Sequence, residues 1–480
     1  MRGRMKKIAL HNLGCKVNSY EIEVMQDTLK NKGYEIVPFA PGADVYIINT
    51  CTVTNIADRK SRQMLHKAKK MNPQAVVVAV GCYVQTGMET VKKDPCIDLA
   101  IGNNRKKDIA VLLEEYLKQR EEQTIAEKGK ENGSIDKTLG NSTFINLNGA
   151  KQEYEEMTLT HAGEHTRAYI KIQDGCNQFC SYCIIPFARG RVRSRKKEDI
   201  LKEVRGLAKA GYREVVITGI HLSSYGLDFQ QEKFGDYLGT AELREKTYEK
   251  GYLAEILEEI NKVEEIKRIR LGSLEPRILT SDFLDRLKRV DKLCPHFHLS
   301  LQSGCDTTLK RMNRHYTIAE FRQTVERLRQ AYDRPAITTD VIVGFPGETE
   351  EEFNCTCAFL EEIRFYDMHI FKYSKRQGTA AAARRDQIDE AIKAERSRVL
   401  LAMAERHSQE YCKSFLGETM EALIEEKKEI RGKYYQTGFT PGYIKVLIEE
   451  QEELTNQIIK GKAAEFLNNE YLLLESINRD

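Results

Sequence analysis

The densest chemical signal in the chain is Cys176-Asn-Gln-Phe-Cys180-Ser-Tyr-Cys183, three cysteines within eight residues. Thiolates this close can wrap one corner of a compact metal centre, as iron–sulfur clusters require. Three protein ligands leave one iron open to an exogenous group. A zinc site would want a fourth protein ligand, for which His161 and His165, upstream, are the candidates. A second set is dispersed: Cys15, Cys51 and Cys82 each follow an apolar run by one to three residues. If those runs are parallel strands of one sheet, the three thiols share the crevice at the strands' carboxyl ends. They could then converge on a second cluster; three unrelated buried thiols is the competing reading. The other six cysteines (Cys96, Cys294, Cys305, Cys355, Cys357, Cys412) are expected as small buried hydrophobes, with Cys355 and Cys357 on different sides of a helix.

Twelve cysteines in 480 residues suit metal or catalysis in a reducing compartment better than disulfides. Apolar runs such as Ala75–Val80 are too short to span a bilayer. The basic start, Met1–Lys7, leads into a short strand rather than a signal-peptide core, so no membrane partner and a cytoplasmic location are expected. The formal net charge is only +3, so a nucleic-acid partner must be argued from local patches.

The elements that would position these cysteines follow from periodicity. Ile8–Asn12, Val45–Thr50 and Val76–Val80 are expected strands, and Ser19–Lys32, Asp58–Met71 and Lys106–Glu122 expected helices. This alternation implies a parallel α/β domain over residues 5–120. A polar linker, 121–161, follows. A second βα series over 162–400 has candidate strands Ala168–Gln173, Glu214–Thr218, Arg268–Leu271, His296–Leu301, Ala336–Val343 and Met368–Tyr373. Six such units suggest a partial (βα)6 barrel. A helix from Gln387 to Ser414 leads to residues 415–480, where short strands at Thr419–Glu425, Lys433–Thr437, Tyr443–Ile448 and Leu472–Glu475 suggest a small all-β barrel.

The CxxxCxxC spacing, with Tyr182 just before the third cysteine, resembles the radical S-adenosylmethionine (SAM) superfamily. The resemblance becomes specific at Asn12-Leu-Gly-Cys15-Lys-Val-Asn18, Asn49-Thr-Cys51 and Gly81-Cys82. It continues through Arg189–Arg195, Leu299–Gly304, Met312-Asn-Arg314 and Asp340–Thr349. Together these are similar to the methylthiotransferase family over nearly the whole chain, with a TRAM-like C-terminal barrel. Gly14–Asn18 and Thr437–Tyr443 look like the branch acting on N6-threonylcarbamoyladenosine at position 37, beside the anticodon of tRNA. The insertions near 121–165 and 227–251 match no family motif.

That resemblance implies two 4Fe-4S clusters: Cys176, Cys180 and Cys183 holding the one that cleaves SAM, and Cys15, Cys51 and Cys82 an auxiliary one carrying sulfur. It implies a tRNA anticodon loop as substrate, an electron donor such as flavodoxin or ferredoxin, and a sulfur source. Candidate SAM contacts are Tyr182 and, at strand ends, Thr218, Gly219, Glu275, Gln302, Ser303 and Asp340, each of which could equally be a turn or cap. His221, His298 and His315 take core or surface readings. Arg189–Lys197 holds six cations in nine residues without an acid. Arg189, Arg191 and Arg193 are therefore candidate substrate contacts, against the alternative of a solvated basic loop. Arg59–Lys70 also holds six cations, which a solvated helix face explains. From Gly417 onward there are 8 basic against 13 acidic side chains, so RNA contact there would rest on aromatics such as Tyr434, Tyr435, Phe439 and Tyr443. Competing functions are a methylthiotransferase for isopentenyl-adenosine in tRNA, one for a ribosomal-protein aspartate, and a non-catalytic zinc and RNA-binding protein.

Overall fold

A computed structural model describes residues 5–127, 147, 152–160, 166–230, 241–430 and 432–479. His161 and His165, most of the expected linker and 231–240 of the second insertion lie outside the described residues. The chain forms two compact units. One comprises Met1–Gly163, Gln173–Phe179 and Cys183–Arg195, the other Glu164–Ile172, Cys180–Tyr182 and Lys196–Asp480.

The first unit is built on β1 (Lys7–Asn12), β2 (Glu35–Val37), β3 (Val45–Thr50), β4 (Val76–Gly81) and β5 (Leu99–Ile101), all parallel in the order β2-β1-β3-β4-β5. β3 and β4 are buried along their whole length, which is why they are continuous apolar runs rather than alternating ones. Ala9, Tyr46, Ile48, Val77 and Ala79 form the core with Leu65 and Ala68 of the helix Asn55–Met71. That helix starts where the Thr54 hydroxyl accepts from the Ala57 amide at 3.1 Å. Its buried residues are Ser61, Leu65 and Ala68; Arg59, Lys60, Arg62, Lys67 and Lys70 lie on the solvated face that the sequence suggested, while Lys69 is half-buried against Asp98. Helix Lys16–Asn31 begins directly at Cys15, its N-cap, three residues earlier than periodicity suggests. β2 and β5, three residues each, were too short to register as periodic runs.

β6 (Arg167–Asp174) ends in the first unit, where Gln173 and Asp174 pair antiparallel with β7 (Arg193–Ser194). The second unit adds β8 (Glu214–Gly219), β9 (Arg268–Leu271), β10 (His296–Gln302), β11 (Ala336–Val343) and β12 (Asp367–Lys372). Strands β6, β8 and β9 are neighbours, as are β10, β11 and β12. Parallel bridges Ile269↔Leu293 and Leu274↔Leu299 join the two sets into the partial (βα)6 barrel. Reciprocal capping boxes, Thr317 with Glu320 and Thr349 with Glu352, start two of its helices, Ile318–Ala331 and Glu350–Ile363.

The same unit ends in β13 (Thr419–Ile430), β14 (Lys433–Phe439), β15 (Lys445–Ile448), β16 (Ile458–Leu467) and β17 (Tyr471–Arg479), a closed barrel ordered β13-β14-β15-β17-β16. Its interior holds Ala422, Ile424, Val446, Ile448, Ile459, Leu472 and Leu474. β16, with the sequence IIKGKAAEFL, is absent from the sequence expectation because Gly, Ala, Lys and Glu carry little strand preference.

Candidate active site and cluster-binding cysteines

In the first unit Cys15 caps the helix after β1, Cys51 follows β3 and Cys82 follows β4. The three are neighbours in space. A Cβ on Gly14 would stand 3.2 Å from Cys51 Sγ and 3.0 Å from Asn18 Nδ2, and Gly14 has φ +120°. Burial raises the Cys15 and Cys51 thiols, Cys51 to about 11, and the charge of Cys82 raises both further. Isolated buried thiols would therefore stay protonated, whereas a metal centre needs thiolates. Arg189 supplies the compensating charge and lowers both. The Asn103 amide donates to Cys82 Sγ at 3.5 Å. Thiols at three strand ends, Cys51 and Cys82 buried and Cys15 on an exposed residue, with a cation and an amide donor beside them, fit an anionic iron–sulfur cluster.

Arg189 is 1% exposed. It donates to Glu21 Oε1 at 2.8 Å, to Asn18 Oδ1 at 2.7 Å and to Asp174 Oδ1 at 3.1 Å, and Glu21 also pairs with the buried Lys106. Arg193 is buried as well, 3.6 Å from Asp174 and donating to the Arg189 carbonyl at 2.8 Å. Arg195 is buried against Glu156 and Thr158. Arg189, Arg193 and Arg195 of the basic run are thus internal, because their acidic partners come from other elements, whereas Arg191 and Lys196 are exposed. Arg189 and Arg193 as substrate contacts must be corrected on this ground: their guanidinium groups are turned inward onto carboxylates. Arg191 is exposed, over the Phe179 ring at 4.4 Å.

The cysteine loop leaves β6 through Asp174-Gly175. Gly175 has φ +72°, and a Cβ there would lie 1.9 Å from the Arg191 carbonyl oxygen, so only glycine is accommodated. Cys176 donates its amide to Gly190 O at 3.0 Å and its Sγ accepts from the Gln178 amide at 3.5 Å. Cys176, Cys180 and Cys183 are all half-buried. In the second unit Ser181 is held by its amide on Met312 O (2.9 Å) and its hydroxyl on Arg311 O (2.8 Å). Tyr182 packs edge-on to Phe345. Arg314 donates to Cys180 Sγ at 3.2 Å and to Ser300 O at 3.3 Å. Burial opposes its charge, but Tyr316, Cys180, Tyr182 and Glu275 outweigh that and raise its pKa. Arg314 was visible in the sequence only as part of a family motif.

Among the expected SAM contacts, Thr218 and Gly219 end β8. Glu275 lies just beyond β9, 3.3 Å from His221 Nε2 and 2.7 Å from Arg277. Burial would raise its carboxyl, yet His221 and Arg277 hold it well below the usual range. Gln302 sits at φ +70°, beside an irregularity in the β10–β11 register. Ser303 shares a hydrogen bond with Thr356 at 3.3 Å and accepts from the Cys305 amide, a role in packing the turn. Asp340 lies within β11 rather than at its end, between His298 and His369. His298 therefore belongs to a polar cluster rather than to the apolar core. Of the six remaining cysteines, Cys294, Cys305 and Cys412 are buried as expected. Cys96 and Cys357 are half-buried and Cys355 is exposed, since the outer faces of their segments meet solvent.

Phe439 and Tyr443 are not free platforms. Tyr443 stacks on Phe439 at 4.7 Å and on His296 at 4.9 Å, with Arg270 and Arg167 over its ring at 4.7 and 5.3 Å. Arg268 and Arg270 donate to the carbonyls of Phe439 and Pro441, both at 2.9 Å. Buried arginines at the amino ends of barrel strands need such acceptors and ring faces. Tyr434 is 53% exposed, with Lys427 Nζ 5.0 Å from its ring, and Lys428 and Lys445 flank Tyr471. No described helix is long and apolar enough to cross a membrane.

Residues 170–360 match the Radical SAM superfamily, and residues 7–102 the Uncharacterized protein family UPF0004. The chain is 39% identical to threonylcarbamoyladenosine tRNA methylthiotransferase MtaB of Bacillus subtilis, over 95% of this chain and 94% of that protein. Its counterpart from Aquifex aeolicus is 37% identical, over 92% and 98% respectively. A tRNA-2-methylthio-N(6)-dimethylallyladenosine synthase of Acetivibrio thermocellus is 34% identical, over 95% and 88%.

Proposed function

Because the chain belongs to the radical SAM tRNA methylthiotransferases, we propose that it methylthiolates C2 of N6-threonylcarbamoyladenosine beside the anticodon of tRNA. The observation carrying this reading is end-to-end similarity to threonylcarbamoyladenosine enzymes, joined to two separate cysteine triads. Cys176, Cys180 and Cys183 would hold one 4Fe-4S cluster, and Cys15, Cys51 and Cys82 the other. When bound, the clusters and SAM supply the radical, the sulfur and the methyl group. The chain's own residues bind and orient. Arg314 fixes the Cys180 sulfur with a charge-assisted hydrogen bond. Thr218, Gly219, Glu275 and Gln302 line the carboxyl ends of the barrel strands, where cofactors of such barrels gather, and are the proposed SAM contacts. Arg191 is the proposed RNA contact of the first unit, and Tyr434 and Tyr471 with their flanking lysines are those of the second. An external one-electron donor such as flavodoxin or ferredoxin, a sulfur source and a cytoplasmic location complete the reading.

The test is reconstituted enzyme with three anticodon-loop RNAs, threonylcarbamoylated, isopentenylated and unmodified, with products identified by nucleoside mass spectrometry. Methylthiolation confined to the first is expected, and comparable turnover of the second sinks the substrate assignment. The triads are tested separately. Alanine at Cys176, Cys180 or Cys183 should abolish 5′-deoxyadenosine formation. Alanine at Cys15, Cys51 or Cys82 should spare part of it while eliminating thiolation.

A further inference from the structure

The second unit gathers His298, Asp340 and His369 on three adjacent strands. Register sets Asp340 beside His369 across β11–β12 and His298 beside Thr338 across β10–β11. The ligand atoms of the three residues all lie within 4.8 Å of one another. His298 Nε2 is 3.1 Å from Asp340 Oδ2, and His369 Nδ1 is 3.1 Å from Asp340 Oδ1. We propose that His298, Asp340 and His369 bind one divalent first-row transition-metal ion through two imidazole nitrogens and one carboxylate.

The outward-facing atoms support this. His298 Nδ1 is 3.0 Å from the Thr338 hydroxyl, and His369 Nε2 is 3.7 Å from Asp367 Oδ2. Each imidazole thus turns one nitrogen to the shared point and has an oxygen near the other. Metal-ligating histidines are oriented in this way, their second nitrogen fixed by a carboxylate or hydroxyl. Charge points the same way. Asp340 and Asp367 bring two carboxylates to the site, which suit a dication and repel an anionic organic ligand. Two nitrogens and one carboxylate favour a transition ion over Ca2+ or Mg2+, which take all-oxygen sets.

Position gives the ion access. The His369 side chain is 55% exposed on the end strand β12. Asp340 shares a strand face with Ile342, two residues on, and Ile342 packs in the cluster of Phe345 and Tyr373 that also takes Tyr182. The site therefore lies about 7 Å along β11, one pleat repeat, from contacts of the cysteine loop. Three protein donors leave coordination positions for water or a substrate oxygen.

The experiment is anaerobic calorimetric titration of the cluster-loaded full chain with Co2+, with cluster iron and melting temperature as controls for folding. One saturable site per chain is expected. Asp340→Asn and His369→Ala should each weaken it at least tenfold. Cys96→Ala should leave it unchanged, which excludes the other cluster of candidate ligands, His66, Asp94 and Cys96. No saturable binding, binding that survives both substitutions, or binding lost with Cys96 overturns the proposal. None of these outcomes depends on which adenosine is modified.

Discussion

Arg189→Met separates an internal arginine from an RNA-binding one. The guanidinium joins Glu21, Asn18 and Asp174 with five donor contacts between 2.7 and 3.2 Å, and both acids are no more than 2% exposed. Removing one partner from a buried ion pair costs about 3–5 kcal/mol, because the other charge is left without compensation. Here Lys106 still faces Glu21, and Arg193 stands 3.6 Å from Asp174, so the low end, about 3 kcal/mol, applies. For a unit of this size that is a fall in melting temperature of roughly 6–12 °C. The same cation lowers the pKa of Cys15 and Cys51, so iron should also be lost from the auxiliary site first. The assay is thermal unfolding of reconstituted enzyme, with iron content and tRNA affinity measured in parallel. Arg191→Glu is the contrast. It should melt like the parent but bind tRNA more weakly, with a salt dependence shallower by about one to two phosphate contacts. If Arg189→Met melts like the parent and loses only tRNA affinity, the internal assignment is wrong.

Gly14→Ala would bring a Cβ within 3.2 Å of Cys51 Sγ at a φ of +120°. Backbone strain and overpacking should together cost about 2–6 kcal/mol at the auxiliary site; iron should fall from roughly eight to roughly four per chain, while SAM cleavage continues. Arg314→Met removes a charge-assisted hydrogen bond to Cys180, of about 1.5–3 kcal/mol; the reduction potential of the cluster proposed for Cys176, Cys180 and Cys183 should become more negative in an EPR-monitored titration, and an unchanged potential would discount the contact. Burial raises the Glu23 carboxyl to about 7 from 4.5, so its contribution is fully present below pH 4.5 and lost as pH rises through 7. Glu23→Gln should flatten stability across that window and stabilise the fold at pH 8 by up to about 3 kcal/mol, as denaturant titrations at several pH values will show.

What the sequence disclosed and what it withheld have physical explanations. β3 and β4 announce themselves because strands buried on both faces are unbroken apolar runs, and the cysteines at their ends could be placed on one edge for that reason. The six barrel strands are legible from periodicity, although β9 (Arg268–Leu271) and β12 (Asp367–Lys372) mix charged and apolar residues. The direction of the arginines in Arg189–Arg195 could not be found, because local charge density is the same for an RNA-facing patch and for cations paired internally. Their partners Glu21 and Glu156 lie 168 and 39 residues away. Thr437–Tyr443 reports ancestry correctly while its aromatic rings pack against the barrel rather than a substrate. The His298, Asp340 and His369 cluster exists only through strand register, which no single strand's sequence contains.

The packing of Tyr443 also constrains how the barrel can be used. His296 opens β10, Arg167 opens β6, and Arg268 and Arg270 lie in the first three residues of β9, so Phe439 and Tyr443 close the amino end of the strands. The cysteine loop follows the carboxyl end of β6, and Tyr182, Glu275 and Arg314 belong to that opposite end. At the edge strand β12, His369 and Phe371 are both open to solvent, which gives a nucleotide one route toward that carboxyl end. The C2 hydrogen of adenine lies on the base edge, so the base must be splayed from its loop to be presented there, at little cost in a single strand. Tyr443→Ala therefore should not alter substrate choice directly. It should leave Arg167 and Arg270 without their shared ring and loosen the amino end, a loss of about 3–5 kcal/mol if the aromatic is fully lost from the packing. Weaker unfolding resistance with unchanged discrimination between threonylcarbamoylated and isopentenylated loops is the expected result. Relaxed discrimination at unchanged stability would move the loop from scaffold to substrate.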